Sequence, residues 1–237
     1  VYGSVAYHQM INAGSLVSLG FNVGWANKQI NTSNLTFPSQ WNGKFFDVHQ
    51  TTTAPKLDRN NINYLDMQVG MNYAYFPTND IYLNAGFSAM HVNRPKESFF
   101  NDESGGNNRV PVRYTGFLNG SIKLNDRVIV NPNVYGSLQA NAWEVVGGLN
   151  AHYNASGDGE KVLIAGVYYR YKDAVIPMLG FSFKDLTFTF SYDVTTSSLS
   201  NFNNGRGGFE FSLIKQGVVD RYNGNRRESM CPSFKTY

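Results

Sequence analysis

Between Tyr64 and Tyr75 the chain alternates without a break. Leu65, Met67, Val69, Met71, Tyr73 and Tyr75 fall on one parity, and Tyr64, Asp66, Gln68, Gly70, Asn72 and Ala74 on the other. Successive side chains of a strand project to opposite faces, so this segment makes a ribbon with one apolar and one polar surface. The pattern recurs along the chain. Val17, Leu19, Phe21, Val23 and Trp25 alternate with Ser18, Gly20, Asn22, Gly24 and Ala26, and Ile81, Leu83, Ala85 and Phe87 with Tyr82, Asn84, Gly86 and Ser88. Leu186, Phe188, Phe190, Tyr192 and Val194 do the same with Thr187, Thr189, Ser191 and Asp193.

The alternation predicts eleven strands, at 1–10, 16–28, 62–76, 80–92, 112–124, 127–139, 143–154, 160–171, 174–184, 186–195 and 206–216. Most reach ~10 residues, longer than the usual globular strand but matched to the ~9–11 residues that cross a bilayer at a tilt. Only 16% of residues are charged and 15% are aromatic, against roughly 25% charged in ordinary soluble proteins. A run of about 18 apolar residues, the mark of a membrane helix, is missing. These features favour an all-β fold, a transmembrane antiparallel up-and-down β-barrel.

Connections of two kinds alternate. Ile11–Ser15, Pro77–Asp80, Asn125–Asp126, Ala155–Glu160 and Lys184–Asp185 are short and carry turn formers. Gln29–Ile62, Asn93–Val112 and Thr196–Gly205 are long and polar, with short members near Ala140 and Asp173. Bacterial barrels have short periplasmic turns and longer external loops. On this reading residues 1–216 are barrel and 217–237 a periplasmic C-terminal tail. About eleven strands is an odd count, and such barrels are usually even. The expectation is therefore about fourteen strands in the complete protein, with N-terminal strands absent from this chain.

Trp and Tyr favour the bilayer interface. Tyr7, Trp25, Tyr73, Tyr75, Trp143, Tyr153, Tyr169, Tyr171, Phe183 and Tyr192 lie near strand ends on the apolar parity. The opposing reading, a sandwich core, would be overfilled by so many long strands. The polar parity is rich in Gly, Ser and Asn, with mixed charges at Asp66, Arg113, Lys123, Glu144, Arg170, Asp193 and Glu210. Mixed signs point to internal pairing rather than to a single-sign selectivity ring.

Signals for chemistry are weak. His8, His49, His91 and His152 show no metal-ligand spacing. Acidic stretches at 101–103 and 158–160 lack the pattern of a calcium loop. Gly205–Gly208 lacks the strand-loop-helix setting of a phosphate loop, and Cys231 is a lone thiol with no identifiable base. The net charge of +3 comes with basic residues at the end, Arg221, Arg226, Arg227 and Lys235, which read as a solvated tail and not as a nucleic-acid surface. The expectation is no catalytic residue, no cofactor and no metal.

Several segments carry a family resemblance. YRYKDAVIPMLGFSF (169–183), FSYDVTTSSLSNFNNGRGGFEFSLI (190–214) and the terminal CPSF (231–234) resemble the PorP/SprF family of Bacteroidetes membrane proteins. NLTFPSQW (34–41), IYLNAGFSAMHVNRPKESFF (81–100) and RVPVRYTGFLNGSIKL (109–124) resemble it in the same order. The resemblance implies an outer-membrane barrel of the type IX secretion and gliding machinery. It implies, as partners besides outer-membrane lipid, a secreted adhesin with a type B C-terminal domain, the type IX translocon and a peptidoglycan-binding periplasmic lipoprotein. The loop aromatics Phe37, Trp41, Phe45, Phe46, Phe99 and Phe100 are candidate external contacts, and Arg226, Arg227, Cys231, Pro232 and Phe234 candidate periplasmic ones. A porin-like diffusion channel is the alternative function.

Overall fold

β-Branched and aromatic residues suit a pleated surface, and turn residues cut the chain into hairpins. The computed structural model describes residues 1–31, 35–47, 49–52, 57–100 and 108–216. Its strands are β1 (Tyr2–Asn12), β2 (Ser15–Gln29), β3 (Asn61–Thr78), β4 (Ile81–Met90), β5 (Arg113–Asn125) and β6 (Val128–Gln139). They continue as β7 (Ala142–Asn154), β8 (Lys161–Arg170), β9 (Ala174–Phe183), β10 (Leu186–Tyr192), β11 (Val194–Thr195) and β12 (Phe209–Lys215). Helix among the described residues amounts to a 3-10 turn at Pro38–Gln40 and one turn, α1 (Ser200–Asn203). Neither is long and apolar enough to cross a membrane. The sheet is antiparallel and up-and-down, in the order β1 to β10 and then β12, with β11 beside β9. β1 and β12 are the two ends of that order.

Eleven strands were expected and twelve are present; the extra one is a gap within the expected strand 186–195. Ser191 pairs with Met178 and Val194 with Val175, so the register against β9 runs on across the gap. The register places Pro177, which has no N–H to offer, opposite Tyr192 at the end of β10. The Asp193 N–H faces the other neighbour and donates to the Gly208 carbonyl at 3.0 Å, in step with the β10–β12 pairing.

The sheet is inside out by the standard of a soluble protein. Asp66 and Ala74, on the polar parity of β3, are 1% and 2% exposed, whereas Met71 on the apolar parity is 54% exposed. In β8 Val162 and Ile164 are buried while Leu163 and Val167 are exposed. Leu149, Leu179, Phe181, Phe188 and Phe211 continue the exposed apolar surface on neighbouring strands. A monomer in water rarely shows an apolar patch beyond a few hundred Å². Hydrocarbon is the medium that removes this cost.

The chain forms two compact units. The first comprises Val1–Ala6, Gly20–Gly70 and Ala89–Arg113; the second comprises Tyr7–Leu19, Met71–Ser88 and the chain from Tyr114 onward.

In the second unit the ladders are long and regular. β6 pairs with β7 from Gln139↔Ala142 to Val128↔Tyr153, and β8 with β9 from Arg170↔Ala174 to Lys161↔Phe183. Its polar side is knitted by amides. Asn131 Nδ2 donates to Asn150 Oδ1 at 2.9 Å, and Asn150 Nδ2 to the Tyr168 hydroxyl at 2.6 Å. Tyr168 pairs across strands with Gly148, where a Cβ would sit 2.7 Å from the ring and 2.3 Å from the Val167 carbonyl. Glycine is required there by close approach. On the apolar side aromatics gather at strand ends. The Trp143 and Tyr171 rings lie 5.5 Å apart with Lys172 Nζ 5.2 Å from the Tyr171 centroid, and Lys184 Nζ lies 5.5 Å from that of Phe183. An apolar ring beside a snorkelling lysine suits a membrane interface.

In the first unit the β2–β3 hairpin extends past its strands through the Ile30 N–H to Asn60 carbonyl bond of 2.9 Å. Trp25 and Val1 exchange main-chain bonds at 2.8 and 2.9 Å. The Tyr2 ring covers Gly24, whose hydrogen faces it where any Cβ would overlap.

Candidate functional site at the loop end

The β2–β3 and β4–β5 connections of the first unit hold the predicted contact residues. Phe37 opens the 3-10 turn; its N–H donates to Gln40 Oε1 at 2.9 Å and its carbonyl accepts the Gln40 N–H at 2.8 Å. Gln40 is buried, and its carbonyl takes the Asp47 N–H at 2.9 Å. Between them Trp41 and Phe46 form an antiparallel bridge, with ring centroids 5.1 Å apart. Asn42 Oδ1 accepts the N–H groups of Lys44 and Phe45 at 3.0 Å each and so fixes the tip. Trp41, Phe45 and Phe46 are exposed on this small hairpin. The tip is well bonded and displays three aromatics, so its backbone has little freedom left to lose.

Phe99 and Phe100 are half-buried. The Phe99 carbonyl accepts N–H bonds from Asp58 and Arg59 at 3.1 and 3.2 Å, which ties the two connections together. Ser98 is buried, and its hydroxyl bonds to both the N–H and the carbonyl of Phe100 at 3.1 Å. The structure thus brings Trp41, Phe45 and Phe46 together at a surface and sets Phe99 as a backbone joint. The candidate periplasmic residues Arg226, Arg227, Cys231, Pro232 and Phe234 lie outside the described residues.

The first unit also holds a polar cluster that the pattern of the sequence did not reveal. Asp66 Oδ1 meets His91 Nδ1 at 2.8 Å, and Asp66 Oδ2 accepts from the Tyr2 hydroxyl and from Gln68 Nε2 at 3.4 Å each. Glu97 is ion-paired with Lys28 and accepts the Tyr64 hydroxyl at 3.1 Å. The Lys28 hydrogen bond, assisted by Tyr64, holds the Glu97 carboxyl below the usual carboxylate range against the opposing effect of partial burial. Asn93 pairs with β3 as a peptide would: Nδ2 donates to the Leu65 carbonyl at 2.7 Å, and Oδ1 accepts the Met67 N–H at 3.2 Å. The only sequence signal was Asp66, a charge on a polar parity; its partner His91 stands 25 residues away.

The second unit has its own loop-end cluster. Arg170 reaches Asp193 at 2.9 Å and Asp173 at 3.2 Å through one nitrogen. Its Nε lies 3.3 Å from Glu144 but makes no hydrogen bond there. Of the mixed charges expected on the polar parity, Glu144, Arg170 and Asp193 meet in this cluster.

Among the described residues no three His, Cys, Asp or Glu side chains are arranged to hold a metal. Of the acidic stretches, 101–103 lies outside the described residues. Asp158 caps its own turn, accepting the Ser156 hydroxyl and the Glu160 N–H.

The sequence model of the family described as "Type IX secretion system membrane protein PorP/SprF" matches residues 1–214. No curated protein matches. Among solved structures the chain is similar to the toluene transporter TbuX of Ralstonia pickettii, at 15% identity and a TM-score of 0.42. That similarity covers 81% of this chain and 60% of the transporter, so the chain spans less than two thirds of the transporter's length.

Proposed function

Since the chain belongs to the PorP/SprF family of type IX secretion system membrane proteins, we propose that it is an outer-membrane β-barrel that binds a secreted adhesin with a type B C-terminal domain. It holds that adhesin at the cell surface or assists its export, as part of the gliding machinery of a Bacteroidetes cell, and catalyses no reaction. The tail from residue 217 serves the periplasmic side, towards the translocon or a peptidoglycan-binding lipoprotein. The observation that carries the reading is the inside-out sheet, exposed along its apolar parity and buried along its polar one, in a chain matched by this family over nearly its whole length.

The Trp41–Phe46 hairpin supports the external contact, since aromatics in a fixed loop are the usual anchors of a protein interface. The test is recovery of adhesin with the protein from detergent-solubilised membranes. Trp41→Ala combined with Phe45→Ala and Phe46→Ala is expected to lower recovery while the sheet remains intact by circular dichroism. Undiminished recovery would move the contact elsewhere. Phe99→Ala with Phe100→Ala keeps the Phe99 carbonyl joint and is expected to reduce retention through loss of the two half-buried rings alone.

A diffusion channel is the second reading, favoured by the Asn-rich polar side of the second unit. Ion conductance of the purified protein in planar bilayers separates the two.

A further inference from the structure

The β4–β5 connection does not leave the sheet as a free loop. β4 ends at Met90, at the level where the Val92 N–H donates to the Met67 carbonyl at 3.0 Å. β3 continues beyond that level to Asn61, a further ~20 Å of strand at ~3.3 Å per residue. The chain that follows β4 lies against this taller wall. The wall side chains that it bonds are on the polar parity: Lys28 of β2, and Tyr64 and Asp66 of β3, with Tyr2 of β1 completing the Asp66 site. Because these are inward positions in a barrel, the segment crosses the interior side, from β4 over β3 to β2.

Its backbone is bent to make that crossing. His91 and Arg94 have φ of 58° and 44°, the left-handed region that non-glycine residues avoid unless surrounding contacts hold them there. The Arg94 N–H closes the bend on the His91 carbonyl at 2.8 Å. The returning arm is pinned to the same segment, with the Glu97 N–H on the Asn108 carbonyl at 2.9 Å and the Val110 N–H on the Pro95 carbonyl at 3.0 Å.

We propose that His91–Phe100 is a strap that lies along the inward side of β2–β4 and narrows the barrel interior there, latched by Asp66–His91 and by Lys28–Glu97–Tyr64. This rests on the barrel reading above but not on the adhesin. The latched chain passes few ions, and release of the strap opens a path along the polar wall. Asp66 is nearly inaccessible, so its latch is a buried charge with a full set of donors, the kind of polar site that specifies one arrangement. The Lys28–Glu97 latch is more open to solvent and is the natural place for release.

The experiment is conductance of the full chain in planar bilayers. Glu97→Gln with Lys28→Gln should raise the conducting fraction about tenfold, the shift expected when a charge-assisted hydrogen bond is lost. Asp66→Asn is the second variant. Conductance equal to wild type in both latch variants, with inserted and β-rich protein, overturns the strap and leaves the barrel reading intact. Failure of the wild-type chain to insert at all would remove both.

Discussion

The loop end of the first unit and the strands of the second are built on opposite principles. In the second unit position is set by backbone ladders and by rings seated on glycines, as at Tyr168 over Gly148. Side chains on the apolar parity, such as Leu149, Leu179 and Phe181, are exposed. In the first unit the backbone of 91–100 has few ladder partners, and its position is set by side chains: Asp66, Lys28, Tyr64 and Asn93. A ladder tolerates most changes of side chain on a face that meets lipid, provided they stay apolar. A latch tolerates changes of almost everything except its few charged and amide groups. The contrast teaches that one sheet can be held by medium and main chain in one region and by specific polar pairs in another.

The largest effect expected is for a charge on the lipid side of the second unit. Leu149 is exposed in mid-strand, so in water Leu149→Arg would be nearly neutral. In a bilayer it should cost about 2–4 kcal/mol, read as loss of the folded, heat-resistant form in lipid-reconstituted unfolding. An unchanged stability would mean that this face meets water. Next comes Gly148→Val, where the new side chain would collide with the Val167 carbonyl and the Tyr168 ring. Overpacking of this kind costs about 1–3 kcal/mol, and urea titration in detergent should show it globally.

In the first unit the comparison predicts local effects. Asp66→Leu leaves Tyr2 and His91 without an acceptor, at about 1–3 kcal/mol. Hydrogen exchange should quicken in 91–100 and hardly at all in β6–β9. A loss spread evenly over the sheet would erase the distinction between the two regions.

The smallest effect is that of acid. The folded-state pKa of Glu97 is depressed below the ordinary 4.5 by Lys28, with Tyr64 and the charges of Lys28 and His91 acting in the same direction. Its contribution is therefore whole above pH 4.5 and is lost as pH falls below that value, towards the depressed pKa. The strap should become more mobile in that window, visible as faster exchange at 96–98 after correction for the intrinsic rate. Loosening that begins well above it would assign the pH dependence to another group.

Much of the molecule was legible in its sequence. The Tyr64–Tyr75 alternation predicted β3 to within a few residues, and the turn chemistry at Pro77–Asp80 and Lys184–Asp185 placed hairpins where they occur. Trp41, Phe45 and Phe46 are exposed at the tip of their hairpin. Three things were less legible. The interruption at Asp193 falls one residue beyond the level of Pro177 on the neighbouring strand, a relation that exists only once the register is set. Phe99 looked like an exposed anchor but is half-buried, with its carbonyl as the working group. Asp66 was visible as an inward charge, but its partner lies past the end of the next strand.

Alternation with a period of two determined the strands, their faces and the antiparallel order, because each of these follows from local geometry repeated along the chain. The family motifs, carried in the same segments, determined the kinship. What only the tertiary structure decided is where the connections go. A loop has no period, and its course is chosen by pairs such as Asp66 with His91 and Lys28 with Glu97, whose members are distant in sequence and meet only after the strands have been laid side by side.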